Sequence, residues 1–243
     1  MNRIMGILDL FFPKRCVGCR KFGSYLCSSC FSYITFWDKG VCFVCQQPAV
    51  DGLTYPVCHT KYALDGAFSS VVYVGVVKRL VYQFKYNPHI TDLTPLMLDL
   101  FYEGIIQKEV FWRYFSNECV FIPIPLHASR MRKRGYNQSM ILAKGLADKF
   151  NIDIEKSGVS VWDCLERVRN THTQVGLKQK ERKENIQDAF VAKKQFLERL
   201  NTSASVFLVD DIVTSGATLL EAAKVLKKAG AGKVWGITLA HGQ

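Results

Sequence analysis

The residues with the clearest chemical content lie near the C-terminus, in Val206-Phe207-Leu208-Val209-Asp210-Asp211-Ile212-Val213-Thr214-Ser215-Gly216-Ala217-Thr218-Leu219. An unbroken apolar run meets two adjacent carboxylates and then a hydroxyl-rich bend around one glycine. In open α/β sheets ligands sit outside the carboxyl ends of strands, and a bend that opens a helix offers backbone N–H groups and a dipole that favour an anion. Gly216 lets the backbone, including that of Ala217, approach such an anion closely, while the hydroxyls of Thr214, Ser215 and Thr218 add neutral donors. Phosphate is the natural occupant. Asp210 and Asp211 would repel it unless they accept hydrogen bonds from hydroxyls or hold a cation, so the economical partner is a vicinal diol with Mg2+. Phosphate plus diol describes a 5-phosphoribosyl group, with Asp210 and Asp211 as the catalytic carboxylates; a strand ending in ordinary loop residues is the alternative. No Lys-Ser/Thr pair follows the glycine, which excludes a Walker-type loop. Gly230-Ala231-Gly232-Lys233 follows a helix and precedes a strand, an order that suits a C-cap rather than a phosphate loop.

A second group is basic. Arg130, Arg132, Lys133 and Arg134 precede Gly135-Tyr136-Asn137-Gln138. Cations so placed would take up charge developing on a departing pyrophosphate. Arginines beside Tyr136 would equally hold a single nucleic-acid strand, phosphates on the guanidinium groups and a base on the ring; a solvated turn is the third reading. Arg169, Thr171, Gln174, Leu177, Arg182, Asn185, Ala189 and Phe190 form a stretch too polar for core and too long for a turn. It reads as a flap that excludes water, with Thr171 and Gln174 as lid contacts, or as a solvated linker.

Seven of the nine cysteines fall between Cys16 and Cys58. Cys16-x-x-Cys19 and Cys27-x-x-Cys30 bring four thiolates within reach of one tetrahedral Zn2+. Cys42-x-x-Cys45 begins a second site with Cys58, where Lys61 stands in place of a fourth cysteine and His59 is the candidate ligand. A crossed pairing of Cys16 and Cys19 with Cys42 and Cys45 is also open, and disulfides are the alternative chemistry that a cytoplasmic setting disfavours. Cys119 and Cys164 stand apart and read as buried thiols.

These groups need a frame. Apolar residues make up 49% of the 243-residue chain and charged ones 22%, the balance of a folded protein long enough for one α/β domain and a small appendage. Strands are expected at 68–74, 120–126, 206–209 and 234–240, and helices at 77–86, 93–107, 138–150, capped by Asn137, and 219–229, with Pro88 separating the first two helices. Strands alternating with helices predict a mostly parallel sheet covered on both faces, with no internal repeat. The net charge of +11 suits a polyanion or an acidic small substrate. Asp9 interrupts the apolar opening, no cleavage site follows and no transmembrane segment is long enough, so a cytoplasmic protein is expected, with Leu8, Phe11 and Phe12 packed on the body. The expected division is a cysteine-rich module over 1–62 and an α/β domain over 63–243.

The segment 206–219 resembles the phosphoribosyl-pyrophosphate signature of type I phosphoribosyltransferases. Together with Pro123-Ile124-Pro125-Leu126, Arg134-Gly135-Tyr136-Asn137-Gln138 and the 171–185 pattern, it resembles, over nearly the whole chain, the ComF family of bacterial competence proteins, which join a cysteine-rich region to a phosphoribosyltransferase-like domain. That resemblance implies a type I phosphoribosyltransferase-like fold with an N-terminal zinc-ribbon-like module, binding of phosphoribosyl pyrophosphate with Mg2+, and the handling of incoming single-stranded DNA in natural transformation, alongside a competence helicase. The chain departs from the family's eight-cysteine form at Lys61, which puts the second metal site in question. Three functions compete: transfer of a phosphoribosyl group to a nitrogenous acceptor, a metabolite-sensing or DNA-gripping protein without turnover, and a zinc-stabilised helicase scaffold.

Overall fold

The computed structural model describes residues 13–86, 90–115, 119–154, 158–171, 179–196 and 205–242. The expectations at Leu8, Phe11, Phe12, Pro88, Gln174 and Leu177 lie outside them.

Five parallel strands form the central sheet, in the order β1 (Gly66–Val72), β7 (Val234–His241), β6 (Val206–Val213), β2 (Val120–Pro123), β3 (Ser160–Val161). β7 is buried at every position and β6 at most, which is why both read as continuous apolar runs: helices cover both faces. Over one face lie α2 (Gly75–Tyr86), α3 (Ile90–Ile106), α4 (Glu109–Tyr114) and α6 (Gln138–Asp153), around a core of Phe111, Phe121, Phe150 and Phe207, none of them exposed. Val77, Leu80, Val81 and Phe84 give α2 its buried stripe at helical spacing. Over the other face α8 (Ala217–Lys228) buries Leu219, Ala222, Ala223 and Leu226 in a second core.

β4 (Leu165–Arg167) and β5 (Phe190–Ala192) pair antiparallel in a separate two-stranded sheet, with α7 (Gln179–Ile186) between them in sequence. This corrects the reading of the polar stretch. Ala189 and Phe190 are core residues, because the hydrophobic side of β5 closes over α8. Several boundaries also move: β6 runs through both aspartates to Val213, α8 opens at Ala217, β1 starts at Gly66 and ends at Val72, β2 stops at Pro123, and α6 continues to Asp153.

Topology marks one crevice at the C-terminal edge of the sheet. The chain leaves β2 toward β3 by way of α5 (Ala128–Arg134) and α6, and leaves β6 toward β7 by way of α8 on the opposite face. The C-terminal ends of β2 and β6 therefore flank the point where connections diverge, where open α/β sheets bind their ligands.

The cysteine module contains a repeat that composition did not reveal. The Cys-x-x-Cys turns at Cys16 and Cys42 each end on a residue of positive φ, Arg20 and Gln46, whose N–H returns to the carbonyl of Cys16 or Cys42 at 2.8 and 2.7 Å. Each turn is closed by a bridge at matching positions, Arg15 with Phe22 and Val41 with Pro48. Similarity in backbone geometry with few shared side chains is invisible to a search for repeated letters. The helical turn α1 (Ser28–Phe31) carries Cys30 between the two. Antiparallel bridges Phe36 to Val71 and Leu53 to Gly66 fasten the module along β1.

Candidate functional site

The two aspartates divide their work. Asp210 Oδ1 accepts from the hydroxyl of Ser139 at 2.8 Å and from the amide of Asp211 at 2.9 Å. Ser139 stands in the first turn of α6, whose cap is Asn137 as expected: Asn137 Oδ1 accepts from the Ser139 amide and its Nδ2 donates to the Ile124 carbonyl at 3.0 Å. The strand end beyond β2 and the helix after it are thus tied to the acid of β6. Burial, and next the adjacent Asp211 carboxylate, push Asp210 up to about 7, against Lys85 and the two donors that favour its anion. Asp211 is buried, and its Oδ2 lies 2.7 Å from Lys85 Nζ. Burial alone would lower Lys85, but the carboxylate prevails and holds it raised and charged.

Other cations converge here. Arg130 donates to the Thr171 carbonyl at 2.7 Å, and Arg167 donates to the Thr171 hydroxyl. Burial and then Arg134 lower Arg130, while burial and then Arg130 bring Arg167 down to about 10 despite Asp210. These guanidinium groups are desolvated and repel one another, a costly arrangement that an anion would relieve. Arg167 Nε is buried without a partner among the described residues. Arg134 lies 5.2 Å over the Tyr86 ring and bonds Gln138, and the Tyr136 hydroxyl donates to the Phe84 carbonyl at 2.5 Å. The expected basic group therefore assembles, except that Arg132 and Lys133 are exposed on α5.

The bend beyond β6 has the form its residues required. Gly216 adopts φ 71°, ψ 1°, and caps α8 without a side chain. Thr214 Oγ1 accepts from Arg182 at 2.7 Å, and the Ser215 hydroxyl is buried without a partner among the described residues. The bend is also covered from the cysteine module: Gln46 Nε2 donates to the Ser215 carbonyl at 3.1 Å, and a Cβ on Gly216 would fall 2.3 Å from Phe43.

The thiols form two groups, each with its sulfurs within 4.8 Å of one another: Cys16, Cys19, Cys27 and Cys30, then Cys42, Cys45 and Cys58. The crossed pairing is excluded. In the first, a Cβ on Gly18 would meet Cys30 Sγ at 2.5 Å, so the turn needs its glycine. Against the burial that would raise it, amides of Cys19, Cys27 and Gly18 bring Cys16 down to about 6, while burial and the neighbouring thiols push Cys30 up to about 12. Four such thiols all lose their protons to solvent only when a cation binds the sulfurs and neutralises their charge, which fits Zn2+. In the second group burial and then Cys45 and Cys42 push Cys58 up to about 11. His59 does not join it: its ring is 2.9 Å from Asp65. Cys119 and Cys164 are buried, as expected.

Residues 7–60 match the model of the double zinc ribbon domain family. The whole chain is 31% identical to Competence protein F of Haemophilus influenzae, over 95% of this chain and 99% of that protein. The chain belongs to the ComF family. Similarity extends to the DNA utilization protein YhgH of Escherichia coli, at 28% over 86% of this chain and 87% of that one, and to Competence protein ComFC of Bacillus subtilis, at 23% over 91% and 96%. The cysteine groups of this ComF chain are accordingly zinc ribbons with structural Zn2+.

Sequence reading missed Lys85, Ser139, Arg167, Phe43 and Gln46. Arg167 left a trace: in β4 it alternates with Glu166 on the same face as buried Leu165. The others carry no local mark, because their partners lie far away along the chain.

Proposed function

We propose that residues 63–243 of this ComF chain bind phosphoribosyl pyrophosphate at the crevice between β2 and β6, and that residues 1–62 form its zinc module. The observation that carries this reading is the convergence of cations, Lys85, Arg130, Arg134 and Arg167, around one half-buried acid and beside a glycine-capped helix start. In this reading Thr214, Ser215, Gly216, Ala217 and Thr218 take the 5′-phosphate, Asp210 accepts from the ribose hydroxyls, and the cations face the pyrophosphate. Asp211 acts at one remove, by holding Lys85. Asp211 is committed to Lys85, so in this reading Mg2+ arrives with the ligand's pyrophosphate. Pentosyl transfer would expel that pyrophosphate, and fixed cations are what its departure requires. Titration calorimetry with phosphoribosyl pyrophosphate and Mg2+ tests the assignment: Asp210→Asn is expected to lose about tenfold or more in affinity, and unchanged affinity would overturn it.

A second observation favours DNA as partner, in keeping with relatives named for competence and for DNA utilization. A groove of about 600 Å3 between the first ribbon turn and α2 is lined by Arg15, Arg20, Lys78 and Arg79 with Tyr73 and Tyr82, and no acidic residue is among the described residues that line it. Tyr82 and Tyr86 are more than half exposed, and their rings are 5.0 Å apart. Cations alternating with exposed rings suit single-stranded DNA.

A further inference from the structure

Among the described residues the first ribbon gathers four thiols and the second only three, with His59 turned to Asp65. The second group is also the one that touches the phosphate bend. Phe43, next to Cys42, is buried in the core shared with Val213 and Ala217 and occupies the space a Gly216 side chain would need. Gln46, next to Cys45, donates both to its own turn at the Phe43 carbonyl, 2.7 Å, and to the Ser215 carbonyl, 3.1 Å. Gln46 holds φ 64°, a conformation that a closed Cys-x-x-Cys turn stabilises and a free chain does not.

We propose that the three-thiol site is a coupling device: metal at Cys42, Cys45 and Cys58 holds Phe43 and Gln46 against Ser215 and Gly216, and loss of that metal releases the bend. Phe43 and Gln46 are then positioning residues for the phosphate loop. Three thiolates leave a vertex of the tetrahedron without a cysteine, so this metal exchanges faster than the one in the four-thiol ribbon. Coupling is reciprocal: a ligand that orders the bend raises the zinc affinity of the second ribbon and leaves that of the first unaffected. The ligand's effect on zinc rests on the function proposed above; the metal's hold on the bend does not.

The experiment uses the full zinc-loaded chain and follows amide hydrogen exchange in 213–218, with 138–153 as an internal reference, together with zinc content and phosphoribosyl pyrophosphate affinity. Cys58→Ser is expected to retain one zinc of two, to raise exchange in the bend about tenfold and to weaken the ligand by a similar factor, the reference unchanged. Gln46→Ala is expected to keep both zincs and still raise exchange in the bend, by about threefold. Cys19→Ser, which disables the first ribbon, is expected to leave the bend at its wild-type rate. The coupling is overturned if the bend exchanges alike in wild type and Gln46→Ala, or if Cys19→Ser loosens it as much as Cys58→Ser. Failure of the wild-type chain to bind the ligand would remove the proposed function, and the exchange comparison would still decide the coupling.

Discussion

Asp210 is an acid held in its less soluble state by its surroundings. Its folded value of about 7 lies above the ordinary 3.8, so the native chain binds the extra proton between those limits. Stability from this group is therefore complete below about 3.8 and is lost as pH rises from there through about 7. Asparagine at 210 abolishes that decline. Thermal unfolding of wild type and Asp210→Asn across pH is expected to give equal midpoints near pH 4 and a more stable variant near pH 8; a difference that did not grow with pH would refute the account. The same substitution that stabilises is the one expected to lose ligand, which is how strain kept for function behaves. The acid pair and the hydroxyl bend were legible because they are contiguous. Lys85 was not, because its meaning comes from Asp211 across the fold.

Among elements, legibility followed length. β6, β7, α2 and α8 announce themselves by runs or periodicities long enough to count, whereas β3, β4 and β5 contain two or three residues each and fall below any period. The polar stretch around Arg182 hid a strand for that reason. α6 illustrates an element set by one residue. Asn137 both caps the helix and fastens it to the chain just beyond β2, and it places Ser139 against Asp210. Asn137→Ala is expected to cost about 1–2 kcal/mol in urea unfolding, the usual worth of a cap, and Asn137→Ser to recover most of it.

For the whole molecule, part of the charge excess of +11 lies in the groove beside the first ribbon, where Arg15, Arg20, Lys78 and Arg79 meet. Composition indicated an anionic partner and could not place it, since the groove joins residues near 15–20 with residues of α2 only after folding. Phosphate contacts release counterions, so affinity for single-stranded DNA is expected to fall linearly on a log–log salt plot. Replacing Lys78 and Arg20 by glutamine should reduce that slope by about 0.7 for each phosphate no longer neutralised; a slope unchanged in the variant would place the strand elsewhere. Among the described residues no helix is long and apolar enough to cross a membrane.

The bridges from Phe36 and Leu53 have a meaning beyond fastening. β1 is the outermost strand on its side of the sheet, and nearly all of its side chains are buried. Left bare, its main chain would offer donors and acceptors to any passing strand, including the same strand of another molecule. The ribbons thus serve as a guard rail, and a body shorn of them would be inclined to polymerise.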